Sequence, residues 1–365
     1  MPTLSDLSGT PAPEGVGKVL SRLLPRAASR SSSKSGSSSK GAGTGRAQAL
    51  GMLAGIVADA VLGDPRRGHP VALFGRAAAA LERRVYGDAR PTGVGYVALC
   101  VGPVALLGVA VTGVGNRVGN PLLRGAVSAV ATWAVLGGTT LGREGVAMAE
   151  FLEADDLAGA RGRLSHLCGR DPSPLGSAEL ARATVESIAE NTSDAVVAPL
   201  FWGAVAGVPG LLAYRAVNTL DAMVGHRNAR YERFGWAAAR LDDVANFVPA
   251  RITGLLTVLC APLAGGSVRQ AAGVLRRDGH RHPSPNAGRC EAAFAGALDV
   301  TLGGTNVYGD RVEHRPEMGD GPKPSVGDIR RSVRLARAVG LAAAGLAVLA
   351  ASRRARGRSR CLPRW

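Results

Sequence analysis

The five cysteines, Cys100, Cys168, Cys260, Cys290 and Cys361, include no C-x-x-C pair. That spacing argues against a zinc ribbon, an iron–sulfur site or a disulfide framework. Aromatic residues make up only 4% of the chain, and no stretch interleaves them with basic residues, so a nucleic-acid surface has no footprint here. The phosphate-cradling pattern G-x-x-x-x-G-K-[ST] is absent, and Gly113, Gly115 and Gly119 fall inside or beside an apolar run where their spacing carries no meaning. No apolar core with a small-residue cleavage site precedes the serine-rich start, as a signal peptide would require. No internal repeat is visible, which weighs against a transporter built from duplicated halves.

The net charge of +16 is unevenly spread. Residues 1–46 carry seven Lys/Arg against two acids, residues 353–365 carry six Arg and no acid, and the remaining 306 residues carry only +5. Basic tails of this kind sit against anionic lipid or mark the cytoplasmic side, and they favour inside for both ends. Residues 1–46 also hold a near-continuous serine run from Ser29 to Ser39. Such a composition cannot bury apolar surface, so this tail is expected to be disordered.

Between the tails, five runs carry no charged residue: 91–116, 125–142, 195–214, 252–268 and 338–352. A spanning helix needs roughly 20 mostly apolar residues. The first and third meet that length, the second and fourth approach it and the last is short; residues 47–63 add an apolar stretch broken by Asp59. The expected fold is therefore all-α, a polytopic helical membrane domain over residues 47–352 with polar active-site loops, a disordered N-terminal tail at 1–46 and a basic tail at 353–365.

The polar residues between these runs are the candidates for chemistry, because charge inside a membrane domain is costly and marks a site. The densest block is 215–251. At helical spacing Asn218, Asp221 and Gly225 share one face, and Asp242 and Asn246 share another. Residues 225–235 read as the connection. Arg240 and Arg251 lie around this block. Upstream, Glu186 and Glu190 are one turn apart, and Asn191 to Asp194 reads as a cap-like break before the third apolar run. Leu62 to Arg76, with Pro65 and Pro70, reads as an interfacial loop. Downstream, Pro283 and Pro285 mark a loop, and Asn286 suits a helix start. His280 and His282 could ligate a metal, but a phosphate held by Arg281, His282 and the helix N-terminus is the favoured reading. Residues 308–324 read as a Gly/Pro loop. If runs 195–214 and 252–268 both cross fully, the blocks around Asn191, Asp221 and Asn286 cannot share one aqueous side. Their convergence then requires a re-entrant segment or a polar cavity shielded by protein.

Four stretches carry a resemblance: LGDPRRGHPVALFGR from Leu62, ENTSDAVVAPLFW from Glu190, the block from Tyr214 through Ile252, and RDGHRHPSPNAGRCEAAFAGALDVTLGG from Arg277. Together they resemble the CobD/CbiB family of cobalamin biosynthesis, the adenosylcobinamide-phosphate synthases. The serine-rich start and arginine-rich end depart from that pattern. The resemblance implies ATP-dependent amide formation between a propionate carboxylate of adenosylcobyric acid and aminopropanol or its O-phosphate, with ATP and Mg²⁺ and no tightly bound cofactor. It implies a corrinoid and an aminopropanol as small-molecule partners, the lipid bilayer as surroundings, and other corrin-pathway membrane enzymes as neighbours; nucleic acid is not among them. Amide formation needs the carboxylate activated, and nucleotide phosphates with Mg²⁺ provide that. On this reading Asp221 and Asp242 hold the metal with Asp243 and Asn218 in support. Arg240 and Arg251 clamp phosphate, and His226 takes the amine proton. Asn191, Asp194, Arg281, His282 and Asn286 form a second wall. Asp242 and Asp243 diverge by about 100° on a helix, so both ligating one ion is not expected. Two rivals remain: an intramembrane Mg²⁺-dependent prenyl- or phosphatidyl-type transferase, which would show two aspartate-rich motifs, and a non-enzymatic corrinoid permease or assembly partner.

Overall fold

A computed structural model describes residues 35–64, 68–226, 228–308 and 311–358. Helix dominates it, as the apolar runs require. In chain order the helices are α1 (Ser35–Leu62), α2 (Pro70–Val85), α3 (Arg90–Val118), α4 (Pro121–Val135), α5 (Gly138–Glu153), α6 (Leu157–Leu164), α7 (Ser177–Thr192), α8 (Ala198–Val224), α9 (Trp236–Cys260), α10 (Val268–Asp278), α11 (Ala287–Leu298) and α12 (Val326–Arg358). A π-helical turn, Ser193–Val197, joins α7 to α8, and a 3₁₀ turn, Ala261–Ala264, follows α9. α1 begins at Ser35, inside the segment expected as tail; residues 1–34 and 359–365 lie outside the described residues.

Six helical segments among the described residues are long and apolar enough to cross a membrane: Gly45–Leu62, Arg90–Val118, Pro121–Glu153, Ser177–Val224, Trp236–Ala264 and Val326–Arg353. Large apolar side chains face outward from them, including Leu99, Leu106 and Val109 of α3 and Val244, Phe247, Leu255 and Leu259 of α9. In water each would be a liability; against lipid it is the surface a spanning helix needs. The chain is a multi-pass membrane protein.

The fourth segment is not one span. At 48 residues it is more than twice the length that a bilayer needs, and it doubles back at Gly207 (φ 69°, ψ −152°). That backbone region is open essentially to glycine alone. The two arms touch on either side of the turn: a Cβ on Gly203 would lie 3.0 Å from Leu211, and one on Gly210 would lie 2.5 Å from the Trp202 carbonyl. Pro209, with no N–H to donate, opens the returning arm. The tip of this helical hairpin packs against Gly108 of α3, and Val208 and Leu211 pack with Ala131 and Val135 of α4.

Two sequence expectations are corrected here. Asn191 to Asp194 does not cap a new helix; the helical path continues through the π turn, with no side-chain cap at Thr192. A π bulge widens one turn without breaking the ladder, and such turns concentrate at functional sites. Residues 308–324 are not wholly loop: Leu302–Tyr308 (β1) and Arg311–Met318 (β2) pair antiparallel, with an irregularity between Leu302 and Gly304. This hairpin is tied to α7 through Glu186, which accepts the Gly303 N–H (2.8 Å) and pairs with Arg170 (2.7 Å) and Arg182 (3.1 Å). Arg182 also donates to the Gly303 carbonyl.

Candidate active site

The Gly207 turn brings the polar end of the returning arm beside the π turn. Asp194 and Tyr214 are twenty residues apart, which on a straight helix would be about 30 Å. Instead the Tyr214 hydroxyl lies 3.2 Å from the Asp194 carbonyl oxygen and donates to Asn246 Oδ1 at 2.9 Å. One tyrosine thus joins the π turn, α8 and α9. Asn246 Nδ2 donates to Asp242 Oδ2 (3.0 Å), the one-turn pairing expected from their spacing, and Asn218 Nδ2 reaches Asp242 Oδ1 (3.4 Å) across from α8. Trp202 Nε1 donates to the Ala245 carbonyl (3.0 Å) and closes the side of this cluster.

Three carboxylates, Asp194, Asp221 and Asp242, gather there, with Asp243 and Glu190 in electrostatic reach. Asp194 interacts electrostatically with Asp242, Asp221 and Glu190, and Asp221 interacts with Asp242 and Asp243. Asp221 stands against Gly225, where any Cβ would collide with its carboxylate. The glycine one turn on is therefore part of the aspartate's seat. Asp243 points elsewhere than its neighbour, toward Arg240 (3.6 Å). The pair diverges as helical geometry requires. Like charges so close need cations, and Arg215, adjacent to Tyr214, supplies one: it interacts with Asp194 and with Asp64 of the segment after α1. Its Nε is buried without a hydrogen-bond partner. Asp64 in turn lies 3.7 Å from His69, so the segment from Leu62 belongs to this site rather than only to a surface. Arg66 of that segment is outside the described residues.

The second wall assembles on α9 and α11. Asn286 donates to the Asp243 carbonyl (2.8 Å) and accepts from Arg251 (3.4 Å), whose guanidinium lies 3.4 Å from the Phe247 ring centre. Asn286 stands at the N-cap position of α11 without capping it; Ser284 Oγ accepts the Ala287 N–H instead (3.2 Å). Arg281 is half-exposed and paired with Asp278 (3.2 Å), which also takes Arg277 (2.7 Å) and the Gly319 N–H (3.0 Å). Those donors hold the Asp278 carboxyl at about 2, Arg277 contributing most. Asn191 folds onto its own helix, donating to the Ser187 carbonyl (2.9 Å). His226, exposed at the end of α8, bonds the Ala222 carbonyl through Nε2 (2.8 Å). His282 is buried and faces Glu291 at 3.7 Å.

The family of the chain is decided by its sequence. The CobD/Cbib protein family model matches residues 52–336. The chain belongs to the CobD/CbiB family. It is 56% identical over 307 residues to the "Cobalamin biosynthesis protein CobD" of Mycobacterium tuberculosis, a match covering 84% of this chain and 97% of that one. Proteins of the same name in Geobacter metallireducens (47% identity, 75% and 87% covered) and Rhodobacter capsulatus (43%, 78% and 92%) are similar at greater distance. No solved structure matches. The CobD/CbiB match takes in every site residue described above, while the tails fall outside it.

Three residues of these polar centres had no individual role in the sequence expectations. Tyr214 and Arg215 sit at the edge of an apolar run and read there as its boundary. Glu291 lies inside a helix of small residues, with nothing local to distinguish it.

Proposed function

We propose that the chain acts in cobalamin biosynthesis and forms an amide between a propionate carboxylate of adenosylcobyric acid and aminopropanol or its O-phosphate, at the expense of ATP. The observation that supports this reading is the meeting of Asp194, Asn218, Asp221 and Asp242 at the base of the Gly207 hairpin, within residues matched by the family.

The chemistry asks for an activated acyl group. A carboxylate oxygen attacks the terminal phosphorus of the nucleotide and the bond to the remaining nucleotide breaks, leaving an acyl phosphate. The amine nitrogen then attacks the acyl carbon, inorganic phosphate departs, and the nitrogen's proton passes to a base. Asp221 and Asp242 fit a Mg²⁺. Each Asp242 oxygen accepts one amide N–H and keeps a lone pair, and the bare Gly225 leaves Asp221 its room. Bound there, the ion would neutralise charge on the nucleotide phosphates. Asn218 and Asn246 hold the Asp242 carboxylate in one orientation from both sides. Arg251, steadied on Phe247 and Asn286, and Arg240, exposed and paired with Asp243, are the phosphate-binding candidates. A carbonyl only accepts, so the His226 Nε2 carries the proton in its bond to Ala222, and Nδ1 is left to receive one.

The test is reconstitution. Full-length protein in detergent receives adenosylcobyric acid, ATP, Mg²⁺ and either amine, with product mass read out. An amide product with one equivalent of ATP consumed is expected. Corrinoid binding without amide would overturn the reading in favour of a permease or assembly role.

A further inference from the structure

Behind the aspartate cluster lies a second polar centre that the amide chemistry does not use. Glu190 of α7, His282 of the loop before α11 and Glu291 of α11 present one ligand atom each within 4.8 Å of one another. They come from three separate stretches, and two of them are deeply buried: the Glu291 side chain is 0% exposed and that of His282 4%. His282 Nε2 has no hydrogen-bond partner, and the Glu291 carboxyl meets another carboxylate, Glu190, with Arg315 at 3.7 Å. The remaining ring nitrogen, Nδ1, lies 3.0 Å from the Ser284 nitrogen and 3.4 Å from the Ser284 carbonyl oxygen. In the tautomer in which Nδ1 donates to that carbonyl, Nε2 keeps the lone pair that a metal ion takes, and it lies 3.7 Å from Glu291. A buried polar atom left this way costs about 1–3 kcal/mol, and two buried carboxylates that face each other need a cation or a shared proton between them.

We propose that Glu190, His282 and Glu291 bind a divalent transition-metal ion, of the Zn²⁺ class, at a site separate from Asp221 and Asp242. Two carboxylates and one imidazole make a mixed oxygen–nitrogen set, which suits Zn²⁺ or Mn²⁺ better than Mg²⁺ or Ca²⁺. Three protein ligands leave a fourth position open to water or to a substrate oxygen. Arg315 of β2, 3.7 Å from Glu291, 4.0 Å from Glu190 and 3.8 Å from Glu313, orients the carboxylates from outside the set. The site stands apart from the amide reaction: it holds whether or not that reaction is the right one.

The test uses full-length protein in detergent, loaded with Zn²⁺, desalted, and measured for bound metal by inductively coupled plasma mass spectrometry. About one equivalent is expected, falling at least tenfold in Glu291→Gln and in His282→Ala but retained in Asp221→Asn. Loading with Co²⁺ gives a second measurement on the wild-type chain alone: visible d–d absorption, with X-ray absorption showing one imidazole in an oxygen–nitrogen shell. Wild-type protein that retains no metal, or a cobalt shell without imidazole, overturns the proposal. So does metal retained undiminished by Glu291→Gln and His282→Ala, or lost in Asp221→Asn, which would place the ion at the aspartates.

Discussion

Replacing Gly207 with alanine tests how the site is assembled without touching any group proposed to react. At φ 69° and ψ −152° a side chain is strained by an amount on the order of 1–3 kcal/mol, a large share of the ~5–15 kcal/mol that holds a typical domain folded. The strain can be relieved only by opening the turn. Opening it carries the returning arm away from the π turn, and with it Tyr214, Asn218 and Asp221. The 3.2 Å approach of Tyr214 to Asp194 has no tolerance for this, since a fully straightened path would separate them by about 30 Å. Gly207→Ala is expected to melt at lower temperature in detergent and to lose amide synthesis by at least tenfold. Gly95→Ala, at a helical position with no atom near its added Cβ, is expected to do neither. A Gly207→Ala protein with wild-type melting and wild-type synthesis would refute the claim that the turn builds the site.

Three further outcomes follow from named contacts. Glu186→Gln removes the carboxylate shared by Arg170, Arg182 and the Gly303 N–H and leaves buried guanidinium charge behind, so thermal or denaturant unfolding is expected to show a loss of about 3–5 kcal/mol. The Asp278 carboxyl is lowered from its ordinary 3.8 to about 2; its stabilisation, about 2 kcal/mol, is present above pH 4 and is lost as pH falls through 2. Asp278→Asn is expected to remove it, flattening the acid limb of a stability-versus-pH curve, and an unchanged limb would contradict the assignment. Gly225→Ala crowds the Asp221 carboxylate, so synthesis is expected to fall with a steeper Mg²⁺ requirement, read from rate against Mg²⁺ concentration.

Local pattern carried much of this protein and stopped where long-range geometry began. The apolar run 91–116 is α3 nearly end to end, and the four-residue spacing of Asp242 and Asn246 is a hydrogen bond in the fold. Both are properties of one helix, which periodicity can express. Gly207-Val208-Pro209-Gly210 held the signs of a break inside the third run, but its uniform hydropathy reads as a single span. The dilemma of two full crossings dissolves because that run folds back on itself. The strands β1 and β2 were hidden by their glycines and prolines, Gly303, Gly304 and Pro316, which signal loops and here accompany an irregular pairing. Glu190, His282 and Glu291 are separated by up to 101 positions; no spacing rule links them, and only packing reveals that they face one another.

The most direct measurement of the central claim, that Asp221 and Asp242 from different helices work as one centre, is a double-mutant cycle on amide synthesis. Groups acting as a unit are far from additive when removed. Asp221→Asn and Asp242→Asn are each expected to lower the rate at least 100-fold, and the double variant is expected to be no slower than the weaker of the two. Single variants that keep wild-type rates, or losses that multiply in the double variant, would contradict the account.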